Sequence, residues 1–405
     1  MSTRAFTSSR AAAVDASGIR KVFDLAAKLK DPINLSIGLP DFDVPDAAKE
    51  AAIEAIRRGE NRYTQTQGIA PLRERLRTDL SAEFGRDVGE VLITSGVSGG
   101  LFLAMLACID PGDEVIFLDP YFVMYKHLLT LTGGVAKTVD SYPTFGFPAD
   151  RVAAAVTHKT KMLILNSPAN PTGAVLTEAD IRAAVEIAQK HNLLILSDEI
   201  YEPFLYNRGT GFQPVMKGAE HSVTEVSPRS DGRQHGLEAR ATTKPMYSPA
   251  EIYENSLVLR GFSKSHAMTG WRLGYATGPA EVIAQMTKLQ QYTYVCAPSV
   301  FQHAAVTAID ISMTDAVASY ERKRDIAYDI LSKSFDVNKP GGAFYIFPKA
   351  PSNTTATDFC ARAIEKNVLV IPGNVFSNQD THLRISYATT DEKLARGCEI
   401  LCSLT

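Results

Sequence analysis

From about residue 91 onward the chain alternates short apolar runs with helical patterns, and this alternation limits the folds open to it. The runs are Val91 to Thr94, Glu114 to Leu118, Met162 to Asn166, Leu193 to Ser197, Ser256 to Leu259 and Leu273 to Ala276. They are rich in Val, Ile and Leu instead of alternating with polar residues, the pattern of strands buried on both faces of a sheet covered by helices. Between two of them lies a clear helix. Thr177 can cap it, Asp180 forms the aspartate variant of a capping box, and Ile181, Ala184, Val185 and Ala188 make one apolar face. The order β, α, β, α predicts an α/β core with a mostly parallel sheet covered by helices, and ligands belong at the carboxyl ends of its strands.

A length of 405 residues, 45% of them hydrophobic, suits two domains better than one. After about residue 296 come further helices, a Gly341-Gly342 turn and short strands around Phe344 to Phe347 and Leu383 to Tyr387, a smaller α+β unit. The expected division is 46–295 for the large domain and 1–45 plus 296–405 for the small one. Asn207 to Lys244 is rich in Gly, Ser, Thr, Pro and charge without sustained periodicity, and is read as a long, mobile surface insertion.

Several functional classes are disfavoured. No run approaches the roughly 18 consecutive apolar residues of a membrane span. Met1 to Arg10 lacks the apolar core of a secretory signal and is read as a short tail, with a weak organelle-targeting segment as the alternative. Forty-two basic against 45 acidic residues, a net charge of −3, argue against a nucleic-acid partner. Cys108, Cys296, Cys360, Cys398 and Cys402 are odd in number and scattered, which fits a reducing cytoplasm. The eight histidines contain no paired ligand spacing, so no metal site is expected.

The informative residues fall at strand ends. Gly261-Phe262-Ser263-Lys264-Ser265 follows directly on the strand Ser256 to Leu259, and Arg272 stands eight residues after Lys264. A lone lysine is ordinarily a solvated surface residue. Here small residues surround it, and partial burial and a second cation would lower its pKa, as a Schiff-base amine requires. Ser263 and Arg272 together can grip a phosphate. Asp198 closes the strand Leu193 to Ser197, with Tyr201 three residues on. Alone, Asp198 reads as a helix cap or structural ion pair and Tyr201 as a core tyrosine; a protonated pyridine nitrogen is another partner for such a carboxylate. Asn166-Ser167-Pro168-Ala169-Asn170-Pro171-Thr172-Gly173 reads as a tight loop that can also aim the Asn170 amide into the cleft. Arg384, in an otherwise apolar strand, wants a carboxylate from the protein or a ligand.

Together these residues resemble the class I/II aminotransferases of pyridoxal-phosphate fold type I, in the branch similar to aspartate aminotransferase. The matching pieces are Ile37-Gly38-Leu39-Pro40-Asp41-Phe42, Tyr63-Thr64 with Gly68 and Leu72-Arg73, Asn170-Pro171-Thr172-Gly173, Asp198-Glu199-Ile200-Tyr201, Ser263-Lys264, Gly270-Trp271-Arg272 and Arg384. The resemblance spans nearly the whole chain apart from the insertion. It implies pyridoxal 5'-phosphate in the large domain, held as a Schiff base on Lys264, with Asp198 on the pyridine nitrogen. It implies Asn170 and Tyr201 on the ring's phenolic oxygen and Phe122 stacked on the ring. The phosphate would lie between Ser263, Arg272 and the turn Gly96-Val97-Ser98, at a helix N-terminus. Gly38, Asn170 and Arg384 would bind the substrate, Gly38 and Arg384 through its α-carboxylate. Tyr63 would reach the neighbouring active site of a homodimer. The substrates implied are an L-amino acid and a 2-oxo acid.

One departure bears on substrate choice. The aspartate-preferring branch has a lysine where this chain has Ser98, so aspartate, alanine and aromatic amino acids all stay open. Two rival chemistries remain. A C–S lyase or decarboxylase can share Lys264 and Asp198. Gly96-Val97-Ser98-Gly99-Gly100 also matches the nucleophile elbow of a serine hydrolase using Ser98, with His303 and His382 as candidate partners by chain order.

Overall fold

A computed structural model describes residues 6–15, 18, 29–206 and 248–405. The stretch 207–244, read from sequence as an insertion, lies outside the described residues, as do residues 1–5 of the Ser- and Arg-rich start.

Strand β1 (Ile33–Asn34) precedes the large sheet, which comprises β2 (Val91–Thr94), β3 (Glu114–Asp119), β4 (Val135–Asp140), β5 (Thr160–Asn166), β6 (Leu194–Asp198), β7 (Ser256–Gly261) and β8 (Gly274–Thr277). Their order across the sheet is β2-β8-β7-β6-β5-β3-β4. Strands β3 to β7 pair in parallel, and β8 alone runs against both its neighbours. All six apolar runs are strands, and each buries both faces. In β5, Met162 and Ile164 pack against Leu101 and Met105 of the helix Gly96–Cys108 side. Leu163 and Leu165 pack with Ile181, Ala184 and Val185 of the helix Glu178–His191. That helix starts at the expected capping box: Thr177 accepts from the Asp180 N–H at 3.1 Å, and Asp180 accepts from the Thr177 N–H at 2.8 Å. Strand β4 escaped the sequence reading because Lys137 and Thr138 interrupt its apolar run and most of it is only part-buried, unlike β2 at the other edge.

The smaller domain has the short strands β9 (Tyr345–Ile346), β10 (Val368–Leu369), β11 (Ile371–Pro372) and β12 (Leu383–Ser386). Its antiparallel sheet has the order β11-β12-β9, and β1 pairs in parallel with β10, tying residues near 33 to the C-terminal part of the chain. Ile33, Leu35, Tyr320, Phe344, Phe359, Ile385 and Leu401 share its core. The sequence boundary at 296 assigns the helix Ser299–Ala308 to this unit. Its buried Ala305 and Ala308 pack instead with Leu72, Val91 and Ile93 beside the large sheet.

The reversal at β8 positions the site. Because β8 is antiparallel to both β2 and β7, those two strands point the same way. Residues just after β2 and β7, and just before β8, therefore meet at one sheet edge. Gly274 is opposite both Thr94 and Gly261.

Candidate active site

That edge gathers Gly96, Val97 and Ser98 after β2, Ser263 and Lys264 after β7, and Arg272 two residues before β8. Asn166 and Asp198 end the adjacent strands β5 and β6 and face each other in register. Asn166 orders the next loop: its side chain donates to the Asp198 carbonyl at 2.9 Å and accepts from the Asn170 N–H at 3.0 Å. Gly96 is needed twice over. Its φ of +69° is left-handed, and a Cβ there would lie 2.5 Å from Arg272 Nη2. The guanidinium thus lies against the first residue of the 13-residue helix Gly96–Cys108, whose free N–H groups favour an anion. Ser263 is buried.

The Lys264 amine donates to the Gly38 carbonyl at 2.6 Å. Although the side chain keeps part of its surface open to the cleft, burial of the amine, then Arg384, then Arg272, lower its pKa to about 8. Arg384, on β12, comes from the smaller domain. Its Nη1 donates to Asn170 Oδ1 at 3.1 Å and its Nη2 to the Ser36 carbonyl at 2.7 Å; Nε is buried with no partner among the described residues. Asp198 is buried too. Burial raises its pKa to about 6, against the opposing hydrogen bonds from Tyr125 Oη at 2.6 Å and the Ile200 N–H at 3.4 Å. Among the described residues neither Asp198 nor Arg384 has an ion-pair partner.

A family profile described as aminotransferase class I and II matches residues 30–401. Relatives include a probable aspartate aminotransferase of Methanocaldococcus jannaschii, 35% identical over 97% of this chain and 98% of its own. Aromatic-amino-acid aminotransferase 2 of Thermococcus litoralis is 35% identical over 96% of this chain and 95% of its own. Among solved structures, the aspartate aminotransferase of Rhizobium meliloti superposes with a TM-score of 0.85 at 31% identity, covering 99% of this chain and 98% of that one. The chain belongs to the class I and II aminotransferases. Its fold is that of the pyridoxal-phosphate fold type I enzymes, in the branch similar to aspartate aminotransferase.

Membership of this aminotransferase family supports pyridoxal 5'-phosphate as cofactor, and the residues present fit such a group. A cation lies against a helix N-terminus, a buried carboxylate has no cation, a buried guanidinium nitrogen has no acceptor, and a lysine amine of lowered pKa stands among them. Tyr201 is also present, with its hydroxyl 2.8 Å from that of Tyr345. Phe122 lies half-buried on the loop after β3, edge-on to Tyr125 with ring centroids 5.7 Å apart.

Tyr63 is 81% exposed, and no hydrogen bond or ring contact among the described residues joins it to the rest. Ser98 sits in the first turn of its helix without a histidine. His303 faces Glu60 at 3.7 Å, and the His382 ring stacks on Phe347 with centroids 5.2 Å apart. Two residues of the site were missed from sequence. Tyr125 follows Tyr121-Phe122 at helical spacing, and Tyr345 falls in the run Phe344 to Phe347, which signalled only a strand. The described residues contain no cluster of metal-ligating side chains, and no described helix is long and apolar enough to cross a membrane.

Proposed function

We propose that this aminotransferase moves an amino group from an L-amino acid to a 2-oxo acid, with Lys264 as the residue that joins the cofactor and carries the proton. The observation that carries this reading is the Lys264 amine, poised near pKa 8 between Arg272 and Arg384 at the edge where β6 presents Asp198. Pyridoxal phosphate, when bound, supplies an aldehyde that condenses with amines and a ring that accepts the electrons released at Cα. Asp198 would hold the ring nitrogen as a cation, and Asn170 and Tyr201 would bind the phenolic oxygen. Phe122 would cover the ring face. Ser263, Arg272, Val97 and Ser98 would hold the phosphate. Gly38 and Arg384 would take the substrate α-carboxylate, the arginine by two parallel hydrogen bonds. By fixing that carboxylate Arg384 would orient the substrate, and the Lys264 amine would serve as the base for the Cα proton.

Exposed Tyr63 supports a homodimer in which it reaches the neighbouring site. All five cysteines are free thiols, in keeping with a cytoplasmic setting.

The test is an amino-acid and 2-oxo-acid panel on purified holoenzyme. It spans aspartate, alanine and aromatic donors because uncharged Ser98 offers a side-chain carboxylate no partner. Turnover should require the 2-oxo acid; product formed equally well without it would favour a C–S lyase or decarboxylase. Lys264→Ala should lose the visible cofactor absorbance and at least about 10³-fold in turnover. A fully active variant refutes the assignment.

A further inference from the structure

Strands β12 and β9 pair so that Tyr345 is opposite Ser386, which makes Arg384 its diagonal neighbour on the same face. The Arg384 guanidinium lies over two aromatic rings, 4.6 Å from the Tyr345 centroid and 4.7 Å from that of Phe376. The other end of Tyr345 works elsewhere. Its hydroxyl is 2.8 Å from the Tyr201 hydroxyl, and a Cβ added at Gly38 would collide with it. Gly38 is the residue whose carbonyl accepts from Lys264. One buried side chain therefore touches the carboxylate-binding arginine with its ring, and Tyr201 and the Gly38 peptide with its hydroxyl.

We propose that Tyr345 is a positioning residue whose ring sets Arg384 while its hydroxyl sets the Tyr201 phenol and the Gly38 peptide. The inference rests on the function proposed above, and it separates two jobs within one residue. Phenylalanine keeps the ring and loses the hydroxyl; leucine loses both.

In Tyr345→Phe, KM for the amino donor should stay within about twofold, because the surface under Arg384 is kept, while kcat falls roughly tenfold. The pH titration of the visible cofactor absorbance should shift as well, and cofactor retention in equilibrium dialysis should weaken, since Tyr201 has lost its partner. Tyr345→Leu should add a rise in KM of about tenfold. In a Tyr201→Phe background, Tyr345→Phe should have no further effect on the titration, which a merely structural hydroxyl would not produce. If Tyr345→Phe does not accumulate as folded protein, Gly38→Ala, whose added Cβ would collide with the Tyr345 hydroxyl, must shift the titration of the otherwise unmodified enzyme and leave that of Tyr201→Phe unchanged.

Tyr345→Phe that matches the unmodified enzyme in kcat and titration overturns the inference. So does one that raises KM at constant kcat, or effects of the two substitutions that simply add. Failure of the unmodified enzyme to bind pyridoxal phosphate and transaminate would sink the parent reading instead, and this inference with it.

Discussion

Two buried charge systems lie side by side at the ends of β6 and β7, and they are built in opposite ways. In one, Arg260 donates from Nε to Glu199 at 2.8 Å and from both terminal nitrogens to Glu83 at 2.8 Å each. Ser197 adds a hydrogen bond to Glu199 at 2.8 Å. In the other, among the described residues, Asp198, next to Glu199 in the chain, receives only a phenol and a backbone N–H, and Arg384 has two neutral oxygens and an orphan Nε. Both arginines are almost fully buried. Buried charges that serve only the fold are closed within the protein, because an unpaired one is costly. Charges that serve a ligand are left incomplete, and the fold carries their desolvation until the ligand supplies the counter-charge.

The same substitution at both arginines breaks or upholds this contrast. Arg260→Leu leaves the buried Glu199 without its cation and should lower stability by about 3–5 kcal/mol in urea denaturation. Arg384→Leu strips no carboxylate of a partner but leaves the buried Asn170 Oδ1 and Ser36 carbonyl without their donor, so stability should fall less, by about 1–3 kcal/mol. The variant's main cost should appear in kcat/KM, by roughly 10³-fold, the loss expected when a charged hydrogen-bonded pair is broken. Equal destabilisation by the two would mean that Arg384 is as structural as Arg260.

What the sequence made legible follows the same line. Lys264 and Asp198 stood out through their setting at strand ends beside other motif residues, and Arg384 because a guanidinium in an apolar strand needs a partner. Six strands of the large sheet were readable because their residues are apolar and buried on both faces, the edge strand β2 included; β4 was not because Lys137 and Thr138 break its run and it is mostly part-exposed. Tyr125 and Tyr345 were invisible for a physical reason. A tyrosine in an apolar run is an ordinary core residue, and only the tertiary neighbour of its hydroxyl tells where the polar end goes. The packing of the helix Ser299–Ala308 beside the large sheet is a choice of partner that periodicity does not encode.

Asp198 sharpens the contrast next. Its folded pKa, about 6, lies above the ordinary aspartate value of 3.8. Between those two pH values the folded apoprotein holds a proton that the unfolded chain has released, so stability falls as pH rises through the window and stays reduced above it. The full loss is about 3 kcal/mol. Asp198→Asn has no such titration. The variant's apoprotein should match the unmodified apoprotein near pH 4 and exceed it by up to about 3 kcal/mol at pH 7. Pyridoxal phosphate should shrink the advantage. A difference constant across pH would mean that the carboxylate is already balanced within the protein.

The smallest effect concerns the one strong donor Asp198 does have. Tyr125→Phe removes the 2.6 Å hydrogen bond and leaves the Ile200 N–H at 3.4 Å, so the charged form of Asp198 loses support and its carboxyl moves further up. If the charged carboxylate is the working form, the acid limb of kcat/KM against pH should move upward by about one pH unit, with little change near pH 8. The sign is fixed by the chemistry: less help for the anion means that a higher pH is needed to form it. Tyr121→Phe is the matched control, because Tyr121 is also buried against Phe117 but has no hydrogen bond to Asp198. An acid limb that stays in place in Tyr125→Phe, or moves equally in both variants, would show that Asp198 takes its charge state from the cofactor alone. The incomplete half of the comparison would then need no support from the protein at all.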